Sequence, residues 1–323
     1  MTSTAPRPTG TADAAAVLPA VLPAVLPALL RATAADLPIA VAQALADASP
    51  DLGAWVRPPV LVDGIPWASC AWGSETDPPI ALVHGVGSNL DTFWRVAPAI
   101  AAAGRFVVAM DLPGHGRTGH WQGRRRFAQT AEDVAGFLRA AGLDRPDLAV
   151  LGHSWGGIIT AALPGAGLRP ERLILLDPPA LPVAAMELMT LDPTERHFDD
   201  MAEAVSVIRS ARPDWSDGDV YAKALGLTQL VPEAVLSVLL ENGDWDGGLG
   251  ALAHPAAQNI PVWLIRGEFR TEGLIPEEVV PLFAERIGAD HVITIADAPH
   301  SPQRQYPEAT VVAILRALGA VGT

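Results

Sequence analysis

The chain has 323 residues, half of them apolar, with a net charge of −14 and a single cysteine. This is enough to bury one large core, or a core carrying an insertion. The acidic balance disfavours nucleic-acid binding, the lone Cys70 excludes an intrachain disulfide, and no apolar run reaches the ~20 residues of a membrane-spanning helix.

In chain order, residues 1–50 read as an Ala/Pro-rich arm. Val-Leu-Pro-Ala recurs at positions 17, 21 and 25. Pro19, Pro23 and Pro27 each remove a helical N–H donor, which argues against a regular helix there. The poverty of positive charge and the prolines in the apolar stretch argue against a signal peptide. A cytoplasmic location is therefore the expectation, in keeping with one cysteine. A further role open to the arm is packing against a second copy in a homo-oligomer, or near the site entrance. Residues 34–48 are better helix material, ended by Pro50.

Residues 60–67 predict a hairpin turning at Asp63-Gly64. Short apolar strands follow at 80–83, 106–110, 147–151 and 173–176, and then at 262–266 and 292–295. Thr130 to Ala141 has helical periodicity. Strands alternating with helices imply an α/β fold, a mostly parallel central sheet with helices on both faces and ligands beyond the strands' carboxyl ends. Residues 51–177 and 259–323 would form the two parts of this core. Between them, residues 178–258 lose the strand rhythm and pattern as helix. About 80 residues far exceeds an ordinary connection, so this stretch reads as a helical cap insertion. The chain's only lysine, Lys223, lies in it and reads as a matter of composition.

Gly152-His153-Ser154-Trp155-Gly156 sits between a strand and a helix. Strand, G-x-S-x-G and helix together describe a nucleophile elbow, with Ser154 lifted on a strained turn and small residues where a side chain would collide. Such a serine points to acyl transfer.

Four motifs in this order resemble those of the α/β-hydrolase superfamily: His84-Gly85-Val86-Gly87, Asp111-Leu112-Pro113-Gly114-His115-Gly116-Arg117, the serine elbow, and Ala298-Pro299-His300. They span residues 80 to 300. Serine at the elbow argues against the haloalkane dehalogenase and epoxide hydrolase branches, which need a carboxylate there. The resemblance implies that His300 is the base for Ser154, since a serine hydroxyl is a weak nucleophile. It implies an oxyanion hole from the backbone N–H groups of Val86 and Trp155. Many members carry the triad acid in a Gly-x-x-Asp pattern; here Gly267-Glu268-Phe269-Arg270 has arginine in that place. Asp177, at a buried strand's end and braced by two prolines, is the favoured acid, with Glu272 the runner-up. Asp111 and Arg117 are given structural roles. His153 is expected to point away from the serine, into the fold. Trp94, Met186, Trp215 and Trp245 are candidates for lining the substrate pocket.

The implied activity is hydrolysis of a small-molecule carboxylic ester or lactone through an acyl-enzyme, in a neutral, apolar cleft, without metal or organic cofactor. A carbon–carbon bond hydrolase, an amidase or an acyltransferase would share the triad. A ligand-binding protein on the same fold is the rival of another class.

Overall fold

The computed structural model describes residues 29–50, 55–120 and 126–321. All three Val-Leu-Pro-Ala repeats fall outside them. The described residues form eleven strands: β1 (Leu29–Leu30), β2 (Trp55–Val56), β3 (Val60–Val62), β4 (Ile65–Trp67), β5 (Ser69–Trp72), β6 (Pro79–Val83), β7 (Phe106–Met110), β8 (Ala149–His153), β9 (Arg172–Leu176), β10 (Val262–Arg266) and β11 (Val292–Ile295). Nine make one sheet in the order β1-β11-β10-β9-β8-β6-β7-β5-β2. It is parallel from β1 to β7; β5 and β2 run antiparallel at the far end. β3 and β4 form a separate hairpin through Asp63 and Gly64, both at positive φ, as a primed two-residue turn requires.

The central strands are apolar along their whole length because both faces are covered. On β6, Ile80 and Leu82 face a core shared with helices Ile39–Ala46, Val96–Ala102 and Pro307–Ala317, while Ala81 and Val83 face helices Phe127–Ala140 and Trp155–Ala162. All four side chains are fully buried. The segment read as an arm thus contributes an edge strand and a helix from residue 29 onward. That helix starts only after Pro38, which stands at its N-cap, so it is shorter than the 34–48 pattern.

Between β9 and β10 the described chain is helical, with helices Val183–Met189, Met201–Ala211, Asp217–Gln229 and Pro232–Leu240. No single described helix is long and apolar enough to cross a membrane.

The sheet meets the serine elbow at a contact that admits no side chain. A Cβ on Gly156 would lie 2.3 Å from the Val83 carbonyl oxygen and 2.6 Å from that of His84. One on Gly152 would lie 2.0 Å from the Gly156 carbonyl oxygen. These are backbone atoms of central elements and cannot step aside. Gly156→Ala is expected to cost about 3 kcal/mol or more of stability, read from urea unfolding. A loss under about 1 kcal/mol would mean that helix and sheet can part without penalty.

Candidate active site

Ser154 and Asp177 stand one residue past the ends of neighbouring parallel strands. His153 and Leu176 are the last paired residues of β8 and β9, so the next residue of each emerges at the same edge. Both then turn sharply: Ser154 has φ 58° and ψ −127°, and Asp177 has φ 46°. A non-glycine residue held in such a conformation costs on the order of 1–3 kcal/mol, met by the surrounding structure. The Ser154 N–H donates to the Leu176 carbonyl (2.9 Å) and the Asp177 N–H to that of Ile265 (2.8 Å), fixing both turns.

His300 arrives from the loop after β11. Its Nε2 lies 3.0 Å from Ser154 Oγ, and its Nδ1 lies 2.7 Å from Asp177 Oδ2. The fully buried Asp177 carboxylate also accepts from the Leu274 N–H (3.0 Å) and the Gly267 N–H (3.1 Å). With the carboxylate at Nδ1, that nitrogen carries the ring proton, leaving Nε2 to accept from the serine hydroxyl.

Glu272 does not meet His300. It is largely exposed and pairs with Arg212 at 2.8 Å. Arg270, in the place where the sequence pattern led an acid to be expected, pairs instead with Glu268 (2.8 Å) and Asp297 (2.6 Å). Its neighbour Gly267 supports Asp177 and presses on the histidine loop: a Cβ there would lie 2.5 Å from the Ala298 carbonyl oxygen.

The loop after β6 lies against the serine, and a Cβ on Gly85 would sit 2.7 Å from that of Ser154. Trp155 opens its helix, so its N–H has no intrahelical acceptor. The N–H of Val86 also has no acceptor among the described residues. Two histidines brace this loop. His84 donates from Nδ1 to the Gly85 carbonyl (2.7 Å) and accepts at Nε2 from the Leu112 N–H (2.9 Å). His115 accepts at Nε2 from the Gly87 N–H (3.3 Å). Asp111 accepts from the N–H groups of Leu90 (2.7 Å) and Arg117 (2.9 Å), binding the second loop to the first.

Three sequence readings need correction. His153 does not point away: its ring packs 4.9 Å from that of His300, and its Nε2–H donates to the His300 carbonyl (2.9 Å). The reversal at Ser154 breaks strand alternation, so both residues face the cavity. Trp94 and Met186 do not line it. The Trp94 indole N–H donates to Asp219 (3.1 Å) beneath the Arg95 guanidinium, and Met186 is wholly in the core. Met189, nearly one helical turn further on, lines the cavity with Trp215 and Trp245. Nor is the cleft apolar, although its formal charges cancel. Its volume is about 290 Å³, and its wall carries Asp192, Glu195, Arg212, Lys223, Glu272 and Arg304.

Lys223 is more than composition. Its Nζ donates to the Gly87 carbonyl (3.1 Å) and to Glu195 (2.7 Å), tying the helical insertion to the loop beside Ser154. Its uniqueness was the available signal. For Arg304, the signal was its place four residues beyond His300, on the short helix that Ser301-Pro302 begins.

A family model described as alpha/beta hydrolase fold matches residues 78–226. The chain is 38% identical over 104 residues to the dihydrolipoyllysine-residue acetyltransferase component of an acetoin cleaving system from Pseudomonas putida, covering 32% of this chain and 27% of that protein. It is 33% identical over 135 residues to a human serine hydrolase-like protein, covering 39% of this chain and 64% of that one. The matches thus span less than two thirds of either relative. Among solved structures, the thioesterase domain from the curacin biosynthetic pathway superposes with a TM-score of 0.65 at 24% identity, over 82% of this chain and 99% of that domain.

Burial holds the scaffold histidines neutral: it pushes His84 down to about 4, His115 to about 3, and His153 well below the usual imidazole range. Unfolded imidazoles take up protons near pH 6.5 that the folded ones refuse, so stability is full above that pH and falls as pH drops toward 4 and 3. Each should cost on the order of 2 kcal/mol by pH 5. Denaturant unfolding at pH 7 and pH 5 measures this, and His115→Asn should lose less stability over that interval than wild type. An equal loss would remove His115 from the account.

Proposed function

Because the chain belongs to the α/β-hydrolase superfamily, we propose that it is a serine hydrolase that cleaves a small carboxylic ester or lactone through an acyl-enzyme. The observation that carries this reading is the unbroken chain Asp177–His300–Ser154, at 2.7 and 3.0 Å, with the serine on a strained turn beside two unspent backbone N–H groups. In this reading Ser154 Oγ attacks the carbonyl carbon as its proton passes to His300 Nε2. The negative charge gathers on the former carbonyl oxygen, which the N–H groups of Val86 and Trp155 receive. The intermediate collapses, the alkoxide leaves with the proton from His300, and Ser154 keeps the acyl group. Water then attacks with His300 again taking the proton, and the acid is released.

Asp177 keeps the histidine in the useful tautomer and supports its positive charge. The His153 ring and its bond to the His300 carbonyl make it a positioning residue for the base. A cavity of about 290 Å³ favours a substrate of modest size.

A fluorophosphonate probe should label Ser154, located by mass spectrometry, and a short-to-long p-nitrophenyl ester series should favour the short members. A folded protein that neither labels nor turns over any ester would leave a ligand-binding role on the same fold as the better reading. Asp177→Asn should lower kcat by about 10⁴, whereas Glu272→Gln should cost less than about tenfold; the reverse order would move the acid to Glu272.

A further inference from the structure

The cavity wall contains a buried guanidinium that no carboxylate of the described residues touches. Arg212 and Lys223 each have a carboxylate partner, Glu272 and Glu195. Arg304 has none among the described residues. It is 5% exposed and lines the cavity, with its guanidinium 4.4 Å from the centre of the Trp215 ring. Its Nη2 donates to Thr92 Oγ1 (3.0 Å), while Nε and Nη1 are buried without an acceptor. Three more donors around the same cavity share this condition: the Ser88 hydroxyl and the indole N–H groups of Trp215 and Trp245. Buried polar groups are almost always hydrogen-bonded, and an isolated buried cation is costly. Several unspent donors around one unpaired guanidinium describe a place made for an acceptor carrying negative charge.

We propose that Arg304 recognises a free carboxylate on the substrate, so that the enzyme's preferred ester is a half-ester whose far end is ionised. This rests on the serine-hydrolase reading and sharpens it. A carboxylate brings one charge to a wall that already carries Asp192, Glu195 and Glu272, where a phosphate monoester would bring nearly two. The Trp215 ring supports the guanidinium plane and shields it from water, which strengthens its pull on an anion. The cavity size limits the spacer between ester and acid to a few carbons.

Two esters of the same length test this: p-nitrophenyl hydrogen glutarate, ending in a carboxylate, and p-nitrophenyl valerate, ending in a methyl group. Wild type should prefer the glutarate ester in kcat/KM by roughly tenfold or more. In Arg304→Gln that ratio should collapse toward one, with most of the change in the KM of the glutarate ester. Arg304→Lys, which keeps the charge, should restore part of it and serves also if the glutamine variant does not fold. Equal or inverted preference in wild type, or a ratio that the variants do not alter, overturns the proposal. Competition against glutarate-ester turnover assigns the anion: glutarate should inhibit more strongly than inorganic phosphate, and the opposite order overturns the carboxylate assignment. If valerate is turned over without any preference for glutarate, the hydrolase reading stands and the subsite falls. If neither ester is turned over and Ser154 does not label, the hydrolase reading falls. The subsite is then judged by tryptophan emission, which glutarate should change in wild type and leave unaltered in Arg304→Gln.

Discussion

The close approach of Gly156 to the carbonyl groups of Val83 and His84 is the constraint on which the site depends. Because no side chain separates them, the helix beginning at Trp155 starts directly against the end of β6. That brings the first N–H of the helix, the loop after β6 and the Ser154 hydroxyl into one small volume. A conventional turn would spread these groups by the width of a side chain, too far for one reacting carbonyl to touch them all. The strained backbone at Ser154 follows from the same demand, and the nine-stranded sheet supplies the rigidity that holds it.

Around that contact the polar groups fall into two sorts. Asp111, His84, His115 and Asp177 are buried and satisfied by backbone partners, and they hold loops in place. The groups facing the cavity from the insertion are charged and paired, while Arg304, on the helix after His300, is satisfied only in part. A wall of this kind selects among substrates by what it leaves unpaired when the wrong molecule enters. The insertion is also attached to the reacting side of the cleft, since Lys223 bridges Gly87 and Glu195.

The fold was legible because its strands are short, apolar and separated by helical periodicity, and because β3 and β4 announce their turn with Asp-Gly. The residues that meet at the site, Ser154, Asp177 and His300, were legible as strand-end or loop positions within ordered motifs. Asp177 could be nominated only because Arg270 stood where an acid was expected. What remained hidden depends on direction rather than identity. Met186 is the right kind of residue on the wrong side of its helix, and Trp94 is one in a turn that directs its indole to Asp219. His153 was misjudged because strand alternation was carried one residue too far, across the reversal at Ser154. The ionic character of the cleft was missed because its charged residues come from segments far apart in the chain, from Asp192 to Arg304, that meet only in the fold. The edge strand β1 has too few residues to give a period.

β1 has a consequence of its own. Leu30 pairs with Ile295, its carbonyl accepts from the Ala296 N–H, and Arg31 reaches Asp297, three residues short of His300. The loop bearing the histidine therefore hangs from a strand flanked on both sides, and one flank lies 266 residues earlier in the chain. During synthesis the early segment must wait for nearly all the sheet before it finds its place beside the strand that leads to the histidine. Contacts of such long sequence separation are slow to form, because loop closure is paid for before they return anything. A nascent or truncated chain can thus carry a well-made serine elbow and still be chemically silent, so that reactivity is withheld until the whole domain has closed.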